Sequence, residues 1–441
     1  MWTGANGTDW NAASNWSDGS VPGTGCPVAI PIVPLHNYPV LSTGPKATIT
    51  DLQIAANASA TISGNTIQIS GAITNNGIFN VTDGTVEFNG SATQNIAGHI
   101  FAKNISGKNN TVKDLIISNL VNVANTVGDT LNITGLVSFG TGNVRLNTGN
   151  NLTLKSTKDN TASIGKLGTG NAVTGQVTIE RYINIGTTPG THAKTWQFLA
   201  TPTLGQSLKQ SWMENGNTTI IGYGAQFTGT TETFGYDAQS VGGSVKLWDE
   251  SVGNWKEFPN AESPLYDSRG YFAFVRGDRT VSGFNGNTTP KPTTLRSKGT
   301  IFTGDQAFTA PYALPLNVFY SIGNPYPSPI DMTKVFATVN ENSKVLPFFY
   351  AWDAGRSDGY YNVGNWTLYT FLDGHYLSVP GQQQNDVIES GQAILMQEDA
   401  TYPTAILFTE DAKVASGSSN TAFREQAVTG RHVQLITNLW Q

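Results

Sequence analysis

The sequence predicts an all-β chain: an N-terminal parallel β-helix-like solenoid followed by a β-sandwich or jelly-roll-like domain. Three observations predict it. Short apolar runs alternate with polar residues at period two, the pattern of strands. Only 13% of residues are charged, against about 25% in ordinary soluble domains; glycine (48 residues), Asn, Thr and Ser replace them. Those residues favour turns and pleated edges over helix interiors. In the first part of the chain, β-like runs also return after roughly 18–22 residues, the length of one coil of a stacked structure.

A chain of 441 residues exceeds one ordinary core, so several domains are expected. Residues 1–46 read as a Trp/Pro-rich N-terminal cap. Trp2, Trp10 and Trp16 alternate with Asn and Gly, and Pro22, Pro27, Pro31, Pro34 and Pro39 follow. Prolines this dense argue against a central strand or helix. A cap suits a solenoid, whose terminal coil would otherwise expose an apolar face. Residues 47–170 read as the stacked β-coil domain. Its runs include Ala47-Thr48-Ile49, Thr66-Ile67-Gln68-Ile69, Gly77-Ile78-Phe79, Thr85-Val86-Glu87-Phe88, Leu115-Ile116-Ile117, Leu131-Asn132-Ile133 and Asn151-Leu152-Thr153-Leu154. Asn75-Asn76-Gly77 and Asn109-Asn110 suit corners that need left-handed backbone. A sandwich of ordinary hairpins remains the alternative for this stretch.

Residues 171–415 read as an aromatic-rich β-sandwich, with strand-like pieces at roughly 8–12-residue spacing. Residues 416–441 read as a Gly/Ser linker and the first strand, 431–439, of a following domain, so the natural protein is expected to continue.

The bulk numbers bound the function. A net charge of -6 and no basic block speak against nucleic acid as a partner. No apolar run of about 20 residues exists to span a membrane. Met1 leads straight into Trp2-Thr3-Gly4 without a charged or apolar leader, so any export signal is expected to have been removed.

Catalytic chemistry finds little support. The five histidines, His36, His99, His192, His375 and His432, form no metal-binding pair. Cys26 lies between Gly25 and Pro27 with no nearby base. There is no G-x-S-x-G elbow. The coil-region acids Asp51, Asp83, Glu87, Asp114, Asp129 and Asp159 share no evident coil position, whereas glycoside cleavage needs a facing pair. No catalytic residues are assigned and no enzyme is expected, although a polysaccharide-active enzyme on a β-helix stays as the weakest alternative.

Two ligand sites are candidates. Trp352, Tyr360, Tyr361 and Trp366 sit among Gly, Asp and Asn, read as loop-like, and would stack on sugar rings. Asp353 and Asp358, in a Gly-rich loop, offer oxygens to calcium, but their spacing departs from the calcium-loop pattern. A turn whose side chains bond their own backbone is the simpler reading, and no other cofactor is expected.

Several motifs together carry a resemblance. Trp2-Thr3-Gly4, Asp9-Trp10, Ala13-Ser14-Asn15-Trp16 and Val21-Pro22-Gly23 open the chain. Gly84-Thr85-Val86-Glu87-Phe88-Asn89-Gly90 and Gln94-Asn95-Ile96-Ala97-Gly98 follow, then Glu180-Arg181-Tyr182 and Trp196-Gln197-Phe198-Leu199-Ala200-Thr201-Pro202. Ser321-Ile322-Gly323-Asn324-Pro325-Tyr326-Pro327-Ser328-Pro329-Ile330-Asp331 and Ser390-Gly391-Gln392-Ala393 complete the order. In that order they resemble large exported surface proteins of the Bacteroidetes. The resemblance implies export by the type IX secretion machinery and a location outside the cell or on the outer-membrane surface of a Gram-negative bacterium. It implies an adhesin-like or structural role, with glycans or proteins as partners, and brings no catalytic residues. The C-terminal sorting domain of such proteins is absent from these residues. A carbohydrate-binding accessory module is the alternative.

Overall fold

A computed structural model describes residues 1–414 apart from 103–104, 108–109, 127–128, 188–190, 192, 266–268, 282–288, 310–318, 340–341, 346, 357–362, 380, 382 and 398–404. The chain is all-β, with 3-10 turns as its only helical elements among those residues.

The first part is built by parallel pairing of strands one coil apart. Ala47 pairs with Ile67, Ile67 with Val86, Val86 with Leu115 and Leu115 with Val137. A second column runs Val112, Ile133, Leu154, Ile179. On another face Val28, Leu52 and Ile73 stack, and Gln94, Val123, Leu146 and Val173 form a further column. Period-two alternation turns one side chain of each pair inward, so the columns merge into one continuous core from Trp2 to Ile179.

In the strand Ile78–Phe88 the burial alternation restarts at Asp83-Gly84, where the register to the preceding strand shifts. Gly84 permits this bend, because a Cβ there would lie 2.5 Å from the Ile62 carbonyl oxygen. Asparagines bond the corners. Asn125 Nδ2 donates to the carbonyls of Thr148 (3.2 Å) and Asn151 (3.1 Å). Asn119 Nδ2 donates to Gln94 Oε1 (2.9 Å), and Gln94 Nε2 donates onward to the carbonyls of Ile69 and Gly71. Such bonds add a side-chain donor at carbonyls that also accept a backbone N–H, as those of Thr148, Asn151 and Ile69 do, and so tie neighbouring coils at the corners.

Within the first 46 residues the strand Val28–Ile30 lies between Pro27 and Pro31. It is the edge strand of its sheet, the place where flanking prolines are tolerated. Above it, Trp2 and Trp10 each pack edge-on against Trp16 at 4.9 and 5.0 Å. Two coil acids at different coil positions make the same kind of bond: Asp51 leads into the strand Leu52–Ile54, whereas Asp114 lies within Thr111–Ile117 in another sheet. Asp51 Oδ1 accepts the N–H of Ala72, and Asp114 Oδ1 that of Leu136, both at 2.7 Å. The intervening Gly71 and Gly135 lack the Cβ that would strike those oxygens. Each therefore braces its own turn to the next coil.

The strand Val177–Ile183 ends the parallel stack. It pairs in parallel with Leu152–Leu154 on one side and antiparallel with Thr293–Ile301 on the other. Beyond it every sheet of three or more strands is antiparallel. One orders Thr195–Leu199, Tyr271–Val275, Val245–Asp249 and Asn254–Glu257 as neighbours. Another orders Phe319–Gly323, Ala393–Gln397, Phe348–Asp353, Asn365–Leu372 and His375–Val379. The two meet through an aromatic layer that includes Phe198, Trp248, Trp255, Phe272, Trp352 and Trp366. The stretch 416–441 expected as linker and strand lies outside the described residues.

Candidate ligand cleft

Strand alternation makes Val177–Ile183 serve two sites. Thr178 and Glu180 face an open cleft of about 370 Å³, while Arg181, next in sequence, is buried toward the antiparallel body.

The cleft floor is a row of side chains on paired strands. Asn132 pairs with Thr153, Thr153 with Thr178, and Thr178 with Lys298. Beside it Glu180 pairs with Arg296. Lys155 Nζ donates to Glu180 Oε1 (2.5 Å) and Tyr223 Oη (3.1 Å), and the Ser156 N–H reaches Glu180 Oε2 (3.2 Å). The opposite wall brings Gln206, Gln210 and Glu214. Arg296 grips Glu214 with two bonds, Nε to Oε1 at 2.9 Å and Nη2 to Oε2 at 2.6 Å. Its guanidinium also lies 4.2 Å from the Tyr223 ring centre.

Glu214 and Asn215 both adopt left-handed backbone, at φ +49° and +56°. Such conformations cost about 1–2 kcal/mol for ordinary residues and persist where surrounding contacts enforce them. Here the Arg296 fork holds the Glu214 side chain in place.

The electrostatics follow from burial against pairing. Burial opposes the charge of Lys155, but Glu180 and Tyr223 outweigh it and hold the amine above its usual range. Arg296 is likewise opposed by burial and raised on balance by Glu214. Three cations face two carboxylates in the cleft. Lys298 is the cation with no ion pair among the described residues.

Behind the cleft, segments distant in sequence interlock. Arg181 lies 3.7 Å from Glu389 and donates to the Ser390 carbonyl. The Ala200 N–H donates to the Gly391 carbonyl and the Asn324 N–H to that of Gln392, both at 2.9 Å. Asn324 Nδ2 donates to the carbonyls of Ser328 (2.8 Å) and Glu389 (3.1 Å). Ser328 donates to the Ile164 carbonyl, and the Ile164 N–H donates to that of Pro327 (3.0 Å). Thus the motifs around 180–182, 321–331 and 390–393, scattered in sequence, meet at one junction between stack and body.

The sequence candidates fall elsewhere. Trp352 and Trp366 are strand residues, directly opposite one another, which corrects their loop-like reading. Glycines around them suggested a loop, yet Gly364 lets the Trp352 ring lie against its backbone. Trp352 packs edge-on to Phe272 at 4.6 Å and donates its Nε1 to the Trp196 carbonyl. Trp366 stacks on Phe272 and meets Phe198 edge-on. Asp353 Oδ1 accepts the Gly355 N–H at 2.9 Å, the self-bonded turn. Tyr360, Tyr361 and Asp358 lie outside the described residues.

Lys155, Gln206, Gln210, Glu214, Arg296 and Lys298 were not singled out from sequence. One signal was available: Arg296 and Lys298 stand two apart in a β-run of a charge-poor chain, which places both on one face.

An all-β chain with a polar cleft at the end of a parallel stack is the class these observations define. Residues 1–96 match the family model of a domain of unknown function, DUF8693. That match ends with the strand Gln94–Ile96 and does not include the cleft. No curated protein and no solved structure matches the chain.

Proposed function

We propose that this protein is an extracellular bacterial surface protein, adhesin-like or structural, in which the parallel stack acts as a stiff stalk for the antiparallel body. The junction carries this reading. A stalk transmits load only if its last coil is fixed to what it presents, and Arg181, Ile164, Asn324 and Ser328 supply that fixation in a buried setting. Backbone bonds running along the stack resist extension collectively. The order of motifs resembling exported Bacteroidetes proteins supports the same location and the type IX route, and the junction gives those motifs a physical purpose.

Antibody labelling of intact source cells tests it. Signal on unbroken cells is expected; antigen reached only after lysis sinks the reading.

The cleft favours a carbohydrate-binding role as the second reading. Glu180 and Glu214 both line it, but every carboxylate oxygen there accepts from a cation or an N–H. That arrangement suits holding a ligand better than donating a proton to one.

A further inference from the structure

We propose that the cleft binds an extended acidic oligosaccharide, lying across the strands with a carboxylate at Lys298. The inference rests on the carbohydrate-binding reading of the cleft and stands apart from the surface location, which cell labelling tests separately.

The cleft is lined by Thr, Asn, Gln, Ser, Lys, Arg and Glu, with no apolar residue. Sites for drug-like ligands are mostly apolar, so the ligand here must bring its own hydrogen-bonding groups. Hydroxyls suit paired charges, because a hydroxyl can accept from the cation of a pair. In Lys155–Glu180 and Arg296–Glu214 the cations are the part-exposed ends and the carboxylates lie buried behind them, so hydroxyls would accept from Lys155 and Arg296. Neither ion pair need break to take a sugar.

The row Asn132, Thr153, Thr178, Lys298 advances by one strand at each step. Neighbouring strands lie about 4.8 Å apart, close to the advance per residue of an extended hexopyranose chain. Successive sugars would then meet successive side chains. Charge selects the class: Lys298 brings a positive charge that no residue of the cleft is seen to pair, so one acidic group is favoured. A dense polyanion is disfavoured, because Glu180 and Glu214 would repel it.

Isothermal titration of the full chain with hexagalacturonate, hexamannuronate and cellohexaose tests the proposal. At least one hexauronate is expected to bind about tenfold more tightly than cellohexaose, the size of one charge-assisted hydrogen bond. Lys298→Gln is expected to remove that preference while leaving the melting curve unchanged. Thr153→Val, in the middle of the row, is expected to weaken both ligand classes by a few fold. Absence of binding by both hexauronates overturns the proposal. So does a uronate affinity equal in wild type and Lys298→Gln, or a preference for cellohexaose.

Discussion

The parallel stack and the antiparallel body solve one problem, holding many strands in register, by different means. The stack has a core dominated by Ile, Val and Leu with few rings. Its register comes from repeated backbone pairing and from Asn, Gln and Asp bonds at corners. The body relies on rings and buried charges. Arg279 is wholly buried, held by two bonds to Asp237 and by the carbonyls of Ala225 and Asn217. Lys413 and Glu410 are also buried together. Repetition lets the same contact be used again in each coil, so no single side chain must specify the stack. A body without repeats needs particular pairs, and losing one partner leaves a buried charge uncompensated.

The sharpest way to break this comparison is Arg279→Met. It strands Asp237 and removes three anchoring elements at once. A loss of about 3–5 kcal/mol is expected, confined to the body's transition in urea unfolding followed by tryptophan fluorescence and far-ultraviolet circular dichroism. An equal shift of the whole molecule in one transition would mean that stack and body do not differ as argued.

Alkali should separate the regions next. Burial raises the phenols of Tyr236, Tyr326 and Tyr376 above their usual range, with nearby carboxylates adding to it. A raised folded-state value means that the stability is complete below the unfolded value, about 10, and is lost as pH climbs past it. Each phenol should remove up to about 1.4 kcal/mol per pH unit above 10. All three lie in the body. Its melting temperature should therefore fall between pH 10 and 11 while the stack's moves little; calorimetry at stepped pH reads both.

What could be read from sequence follows the same division. Period two and Asn/Gly corners are local, so runs such as Thr85-Val86-Glu87-Phe88 were legible as strands. The shared role of Asp51 and Asp114 was not, because the N–H groups they accept sit one coil onward. The cleft was hidden for a stronger reason. Glu180 meets Arg296 only through an antiparallel pairing that skips the intervening sheet, and Glu214 arrives on a left-handed turn that its residue type does not advertise. Trp352 and Trp366 misled because glycine nearby signals a loop and equally makes room for a packed indole. At the junction the motifs were visible as resemblances, but their meeting depends on three segments whose order alone does not bring them together.

Within the stack, a corner should matter more than a surface charge. Asn125→Ala removes the donor that serves Thr148 and Asn151. Both carbonyls keep a backbone donor, the Asn151 N–H for Thr148 and the Leu131 N–H for Asn151, so a loss of about 1 kcal/mol is expected for the two side-chain bonds. The readout is the stack's far-ultraviolet transition, with the body's unchanged.

The smallest effect should come from Asp83, and it tests whether the stack depends on charge at all. Asp83 receives bonds from Lys113 Nζ (2.9 Å) and Ser63 Oγ (3.1 Å) at the bend beside Gly84. These partners, Lys113 first, hold its carboxyl below the usual range. A lowered folded-state value contributes stability above about pH 4 that fades as pH falls through the folded value. The side chain is 63% exposed, however, and solvent screens such a pair to roughly 0–1 kcal/mol. Asp83→Asn should therefore shift the urea midpoint of the stack barely, and less still in molar salt. A loss comparable with Asn125→Ala would show that an exposed ion pair sets the bend, and that the stack, like the body, is specified by individual charged contacts.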